Sequence, residues 1–207
     1  MVHLIVGATN PNCRELLAGM FRLRYDVFIK EKRWDIKSYN GLEFDQFDTE
    51  DTIYLVELDD DGVVVATVRM NPTDKPTLFS EVFADMCHGG PPTCPNTWEL
   101  TRGAIAKNVR KSLHFGKIEC ATIEAALLWG VTKACGIFGV DLLMKKMRCG
   151  LDAKPIGQPR MIDGESHVAA EFAMNGDVLQ RTRALYRISG PSIEQIHLMP
   201  ASERAAA

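Results

Sequence analysis

Arg24, Asp45, Asp48, Arg69, Glu99 and Arg102 alternate in sign through the first half of the 207-residue chain. Most of them stand on or beside apolar segments. Arg69 follows the β-branched run 63–68, and Glu99 and Arg102 sit inside the stretch 98–105. A charged side chain in a half-buried strand is costly unless it is paired. Composition alone therefore leaves two readings open: a structural salt-bridge network at the end of a sheet, or a polar pocket that orients a charged small molecule. In a regular strand Glu99 and Thr101 share one face and Arg102 takes the other, unless a bulge intervenes.

Other chemistries lack their residues. No GxGxxG follows a strand, no GxxxxGK[ST] is present, and no GxSxG elbow occurs. Cys87-His88 and Cys94 match no common zinc spacing, so no metal is expected. His114 stands alone and reads as a packed or solvated side chain.

The elements that must carry these residues follow from periodicity. Residues 2–6 read as a strand, and Asn10-Pro11-Asn12 as a turn and helix start. Leu16, Leu17, Met20, Leu23, Val27 and Phe28 recur at helical spacing within 14–32. The acidic, aromatic segment 41–52 reads as an ordered loop. Runs 53–58 and 63–70, joined by Asp59-Asp60-Asp61-Gly62, form the clearest hairpin. Short helix is expected over 79–86, strand over 97–105, long helix over 118–134, a short strand over 137–140, and helices over 141–149 and 177–187. Segment 168–174 fits either state. The pattern predicts a mixed α/β sheet with helices on its faces. One domain over 1–190 is expected, with 191–207 a frayed tail.

Hydrophobic residues at 46%, charged residues at 25% and a net charge of −3 describe an ordinary globular chain. That balance argues against nucleic acid as the main ligand. The longest apolar stretch, 121–140, is broken by Glu124 and Lys133, so no membrane span is expected. Six scattered cysteines with no signal-like N-terminus read as thiols in a reducing, cytoplasmic compartment.

The spacing of the charged set carries a resemblance. Phe21-Arg22-Leu23-Arg24-Tyr25-Asp26-Val27-Phe28, then Trp34, then Glu43-Phe44-Asp45-Gln46-Phe47-Asp48, is similar to the acyl-homoserine-lactone synthases, the autoinducer synthases of quorum sensing. That family's pattern runs R-x-x-x-F, a Trp six residues on, and E-x-D-x-[FY]-D. An Arg at a strand end follows, here Arg69, then a Pro and a downstream Phe, here Pro76 and Phe83. It closes with E-x-[ST]-R, here Glu99-Leu100-Thr101-Arg102. All occur in order over 24–102. The chain departs from the pattern at Gly103, where an aromatic is usual, and in the short strand read at 137–140. Both positions bear on the acyl-chain pocket.

The resemblance implies an N-acetyltransferase-like fold: a mixed, mostly antiparallel sheet, split to form a thioester cleft, with helices on both faces. It implies acyl transfer from acyl carrier protein or coenzyme A to the amine of S-adenosylmethionine, then lactonisation with release of methylthioadenosine. Glu99 is then the first choice of base, with Arg69 and Arg102 beside it. Arg24, Phe28, Trp34, Asp45, Asp48, Phe83 and Thr101 would form the substrate site, the aromatics as flat walls. Leu127, Val131, Phe138 and Leu142 are candidates for the acyl pocket. Lys145, Lys146 and Arg148, and Lys30, Lys32 and Arg33, would be basic patches for an acidic carrier protein. No cofactor is implied, since S-adenosylmethionine and the thioester are substrates.

Two alternatives remain at this stage. One is an acyl-coenzyme A-dependent N-acyltransferase acting on another amine. Its usual [QR]-x-x-G-x-[GA] loop is missing at 110–115, where Gly116 is the only nearby glycine. The other is a non-catalytic binding domain.

Overall fold

The computed structural model describes residues 1–109, 112–148 and 151–200. Arg110 and Lys111 of the loop just mentioned, Cys149 at the expected end of a helix, and the last seven residues lie outside them. The chain begins with β1 (Val2–Val6), in which Leu4 and Ile5 point to opposite faces and are both fully buried. A sheet covered on both sides follows from that pattern. The Asn10 side chain accepts from the Asn12 amide at 3.1 Å and starts a short turn into α1 (Arg14–Arg24). Leu17, Met20 and Leu23 form the buried stripe of α1, as their spacing predicts.

The helix expected to run to residue 32 changes character at Tyr25. Tyr25–Glu31 is a π-helical turn, with the Lys32 amide donating to the Val27 carbonyl at 3.0 Å. Such wider turns recur at functional sites. Here the turn leaves Phe28 buried and brings Trp34 back, its amide bonded to the Phe28 carbonyl at 2.9 Å.

The hairpin forms as read: β2 (Ile53–Leu58) pairs antiparallel with β3 (Val64–Pro72). The short helix is α2 (Leu78–Val82), capped by Thr77, whose hydroxyl oxygen accepts from the Ser80 amide. Then come β4 (Thr97–Ile105), α3 (Ser112–Leu128), β5 (Lys133–Gly139), α4 (Val140–Arg148), β6 (Ala153–Pro155), β7 (Arg160–Ile162), β8 (Glu165–Ala173), α5 (Gly176–Tyr186) and β9 (Ile193–His197). The strands join in one sheet in the order β6-β8-β5-β4-β3-β2-β1-β9, with β7 also on β8. Among the described strand pairs only β4–β5 and β1–β9 are parallel. α3 and α5 cover one face, with Leu4, Leu55 and Val68 packed among Ile118, Ile123 and Val178. α1 covers the other, where Leu17 and Met20 meet Ile5, Tyr54 and Val56.

Three expectations are corrected. The long helix sits six residues earlier than read and stops at Leu128, because Gly130 adopts φ +68 and the Val131 amide closes back on the Ala126 carbonyl at 2.8 Å. That leaves room for a seven-residue β5, which is therefore not short. Segment 168–174, left open, belongs to a strand. The supposed tail contains β9, parallel to β1; the buried end of its entry is fixed by the Glu124 carboxylate, which accepts from the Ser192 amide at 2.8 Å and the Ile193 amide at 3.0 Å. The half-polar strand sequence and Pro191 hid it.

Two irregularities open the sheet. β4 and β5 pair only over Thr97–Glu99 against Lys133–Cys135. Beyond these residues β4 follows β3 and β5 follows β8, so a wedge opens between them. Just past the last pair, a Cβ on Gly136 would stand 2.7 Å from the Leu100 carbonyl oxygen. Gly136→Ala should therefore push the two backbones apart, and chemical denaturation should show a loss of about 1–3 kcal/mol. An unchanged midpoint would refute this close approach. The second irregularity is a bulge: Thr67 pairs with Ala104 but Arg69 with Thr101, so β4 carries one extra residue, at which Arg102 adopts φ +52.

No helix among the described residues is long and apolar enough to cross a membrane.

Candidate active site

Three arginines and three carboxylates meet where α1, the loop 43–52, β3 and β4 converge. Arg24, fully buried at the end of α1, donates from Nε to Glu43 at 2.6 Å and in bidentate fashion from both terminal nitrogens to Asp48 at 2.8 and 3.0 Å. Arg69 donates from Nη1 to Asp45 at 2.5 Å and from Nε to the Thr101 hydroxyl at 2.9 Å. Arg102 donates to the other oxygen of Glu43 at 3.0 Å and to Asp45 at 2.8 Å. The bulge supplies the reason Arg102 joins this cluster rather than pointing away from Thr101. Tyr54 completes it, donating to Asp48 at 2.8 Å. Burial alone would lower the Arg24 pKa, but Asp48 and Glu43 overcome that and hold it above its ordinary value. Burial alone would raise that of Asp48, and Arg24 and Arg69 drive it well below the carboxylate range instead.

Glu99 stands apart from this balance. It makes no bond to Arg102, and its Oε1 accepts from the Phe79 amide at 2.5 Å, at the start of α2. Its Oε2 is buried without a partner, and only 1% of the residue is exposed. Burial pushes its carboxyl up to about 7, against the opposing pull of Arg69 and of the α2 amides. Asn71 lies directly across the β3–β4 pair from Glu99, and Arg69 one step further along the same face. Each has an unpartnered buried atom, Asn71 Oδ1 and Arg69 Nη2. One sheet face thus presents a free carboxylate oxygen, a free amide oxygen and a free guanidinium nitrogen.

A cavity of about 920 Å³ runs through the wedge. On the Glu99 side its walls include Phe28, Trp34, Phe83, Thr101 and Arg102. Phe28 and Trp34 stack at 4.9 Å with planes 6° apart. On the α3 side it continues between Ile118, Phe138, Leu142 and Phe172. Arg24, Asp45, Asp48 and Arg69 stand behind the walls rather than forming them.

Several expected site residues fall elsewhere. Phe138 and Leu142 line the cavity, but Leu127 is 41% exposed on the far end of α3 and Val131 is buried in the general core at the approach to β5. Helical spacing could not distinguish core from pocket. Of the basic residues expected on α4, Lys145 and Arg148 face outward, and Lys146 is turned inward, ion-paired with Glu119. Lys30 is held by Asp26 at 2.7 Å, and Lys32 lies over the Trp34 ring. Glu43, Tyr54 and Asn71 were not singled out as site residues. Glu43 had a signal, the first position of E-x-D-x-F-D; Tyr54 and Asn71 looked like ordinary strand positions. Among the described residues no group of His, Cys, Asp and Glu could hold a metal.

The split sheet and its cleft define an N-acyltransferase fold. An acyl-coenzyme A N-acyltransferase from Pseudomonas aeruginosa superposes with a TM-score of 0.57 over 83% of this chain and 97% of its own, at 20% identity. A narrower class follows from the sequence. The autoinducer synthase family profile matches residues 10–181. The isovaleryl-homoserine lactone synthase of Bradyrhizobium diazoefficiens is 30% identical over 197 residues, 94% of this chain and 89% of that protein. A solved structure of a coenzyme A-dependent acyl-homoserine lactone synthase with S-adenosylmethionine and isopentyl-coenzyme A superposes with a TM-score of 0.89, covering 100% of this chain and 98% of its own at 26% identity. The chain belongs to the autoinducer synthases, acyltransferases that make acyl-homoserine lactones.

Proposed function

We propose that this chain transfers the acyl group of an acyl-coenzyme A to the α-amine of S-adenosylmethionine and then closes the lactone, with Glu99 as the base. The Glu99 carboxyl carries this reading. One oxygen is fixed, the other is free at the cleft, and burial tunes the group to about 7, where it can take a proton at neutral pH. Removing the proton from the ammonium frees its lone pair to attack the thioester carbonyl. The amide forms, the C–S bond breaks, and the departing thiolate takes the amine's second proton.

The free atoms on the Glu99 face suit an amino-acid head group. Glu99 Oε2 accepts from the ammonium at the cavity wall, and Asn71 Oδ1 and Arg69 Nη2 set the polarity of the face behind it. Phe28 and Trp34 wall the cavity on the side left for the adenosyl part, with Phe83 and Thr101 closing it near Glu99. In the second step the carboxylate attacks the carbon bearing the sulfonium, and methylthioadenosine leaves as a neutral thioether. Holding the chain curled is the main demand on the protein. No cofactor is required, because the sulfonium is its own leaving group.

Coenzyme A is favoured over a carrier protein as donor because Lys146 of α4 is turned inward, and because relatives described as coenzyme A-dependent match along the whole chain. We assign the reaction to the cytoplasm, which suits the buried free thiols Cys13, Cys120 and Cys135. Mass spectrometry of purified protein with S-adenosylmethionine and a thioester panel tests the whole reading. Acyl-homoserine lactone should appear with equimolar methylthioadenosine. An acylated amine without methylthioadenosine would instead establish transfer to another acceptor.

A further inference from the structure

The α3-side lobe of the cavity contains a feature that a plain hydrocarbon chain does not need. Its walls are Phe115, Ile118, Ile123, Phe138, Leu151 and Phe172, yet Lys146 from α4 and Glu119 from α3 also line it and pair across it. Lys146 is only 7% exposed. Among the described residues Glu119 is its hydrogen-bond acceptor, and its ammonium also stands over two ring faces, Phe115 at 5.1 Å and Phe172 at 5.8 Å. An ammonium has three N–H donors, so donors are left over in a lobe walled by hydrocarbon. Covering them with an alkyl chain would desolvate them without a partner. An oxygen placed there would accept from an ionised donor in a low-dielectric site. That oxygen must be neutral: the pair already cancels, and a second carboxylate would leave a net negative charge enclosed.

We infer that Lys146 is a specificity-determining residue, and that the acyl group this enzyme takes carries a neutral hydroxyl or carbonyl oxygen remote from the thioester. The inference rests on the proposed reaction, since it assigns the α3-side lobe to the acyl chain. Lys146 and Glu99 lie on opposite faces of the sheet, so the chain passes through the wedge to reach the ammonium.

The test offers each chain length from butanoyl to octanoyl as three coenzyme A thioesters, with an alkyl, an ω-hydroxy or an ω-carboxy end. Lactone and methylthioadenosine are both quantified. At the best length, kcat/KM should favour the ω-hydroxy donor over the other two by about 10- to 100-fold. Lys146→Met should reverse the order in favour of the alkyl donor, with KM for S-adenosylmethionine unchanged. Glu119→Gln, which leaves the ammonium uncompensated, should move the preference to the ω-carboxy donor. Lactone formation with an alkyl preference in the wild type, or a ratio that Lys146→Met does not move, would overturn the inference and leave the reaction standing. Absence of lactone from every thioester would overturn the proposed reaction and this inference with it.

Discussion

Replacing Glu99 with Gln should lower kcat by about 10²- to 10⁴-fold while changing KM for S-adenosylmethionine little. The amide keeps the shape and can still accept from the Phe79 amide, so the α2 start and the cleft should survive. What it loses is the proton acceptor. The wild-type profile should show a limb near pH 7 in kcat/KM, because the carboxyl is raised to about 7 by burial. The sign is fixed: activity needs the deprotonated form, so the rate rises with pH through that value and levels above it. In Glu99→Gln that limb should vanish from the residual activity.

The same shift has an opposite consequence for stability. A folded pKa raised above the ordinary carboxylate value means the native state holds the proton more tightly than the unfolded chain. Stability is therefore fully present below the unfolded pKa and falls as pH rises toward about 7. Glu99→Gln escapes this cost. Its unfolding free energy should exceed the wild type's at pH 8, by on the order of 3 kcal/mol at most, and approach it at pH 4. A variant that is inactive yet no more stable at pH 8 would show that Glu99 is stabilised as the anion, and a base tuned by burial would no longer describe it.

Sequence reached the site by type and spacing rather than by geometry. The alternating charges of Arg24, Asp45, Asp48, Arg69, Glu99 and Arg102 identify the cluster, because ionised groups in apolar runs must find one another. Which partners they choose was not legible. Arg102 meets Glu43 and Asp45 only because β4 carries an extra residue, and a bulge has no fixed sequence signature where any side chain can take φ +52 at some cost. The π-helical turn at Tyr25–Glu31 was equally hidden, since Val27 and Phe28 satisfy ordinary helical spacing and the wider turn is imposed by packing against β4. Leu127 and Lys146 show the limit of reading faces from period alone. The end of α3 projects beyond the sheet, which exposes an apolar residue there. α4 returns across Phe115 and Phe172, which buries a lysine.

The charge cluster behind the cavity is also where the largest loss of stability should lie. Arg24→Met would leave the fully buried Glu43 and the nearly buried Asp48 without their main partner. Removing one member of a buried pair typically costs about 3–5 kcal/mol, because the charge that remains is uncompensated. Urea denaturation at pH 7 should show a loss of that size. Lys at the same position should recover only part of it, since an ammonium cannot reproduce the bidentate contact to Asp48. The pH dependence separates this from lost packing. In the wild type Asp48 is depressed below its ordinary pKa, burial notwithstanding, by Arg24 and Arg69. Its stabilisation is present above the unfolded value and lost as pH falls through the folded one. In Arg24→Met the same carboxyl is buried with less positive charge beside it, so it protonates more readily. The gap between variant and wild type should accordingly be widest at neutral pH and shrink as the pH falls toward 4. A gap that stays constant over that range would mean Arg24 acts through its buried volume, and the arginine–carboxylate network would then be incidental to the rigidity of the wall that carries Thr101 and Arg102.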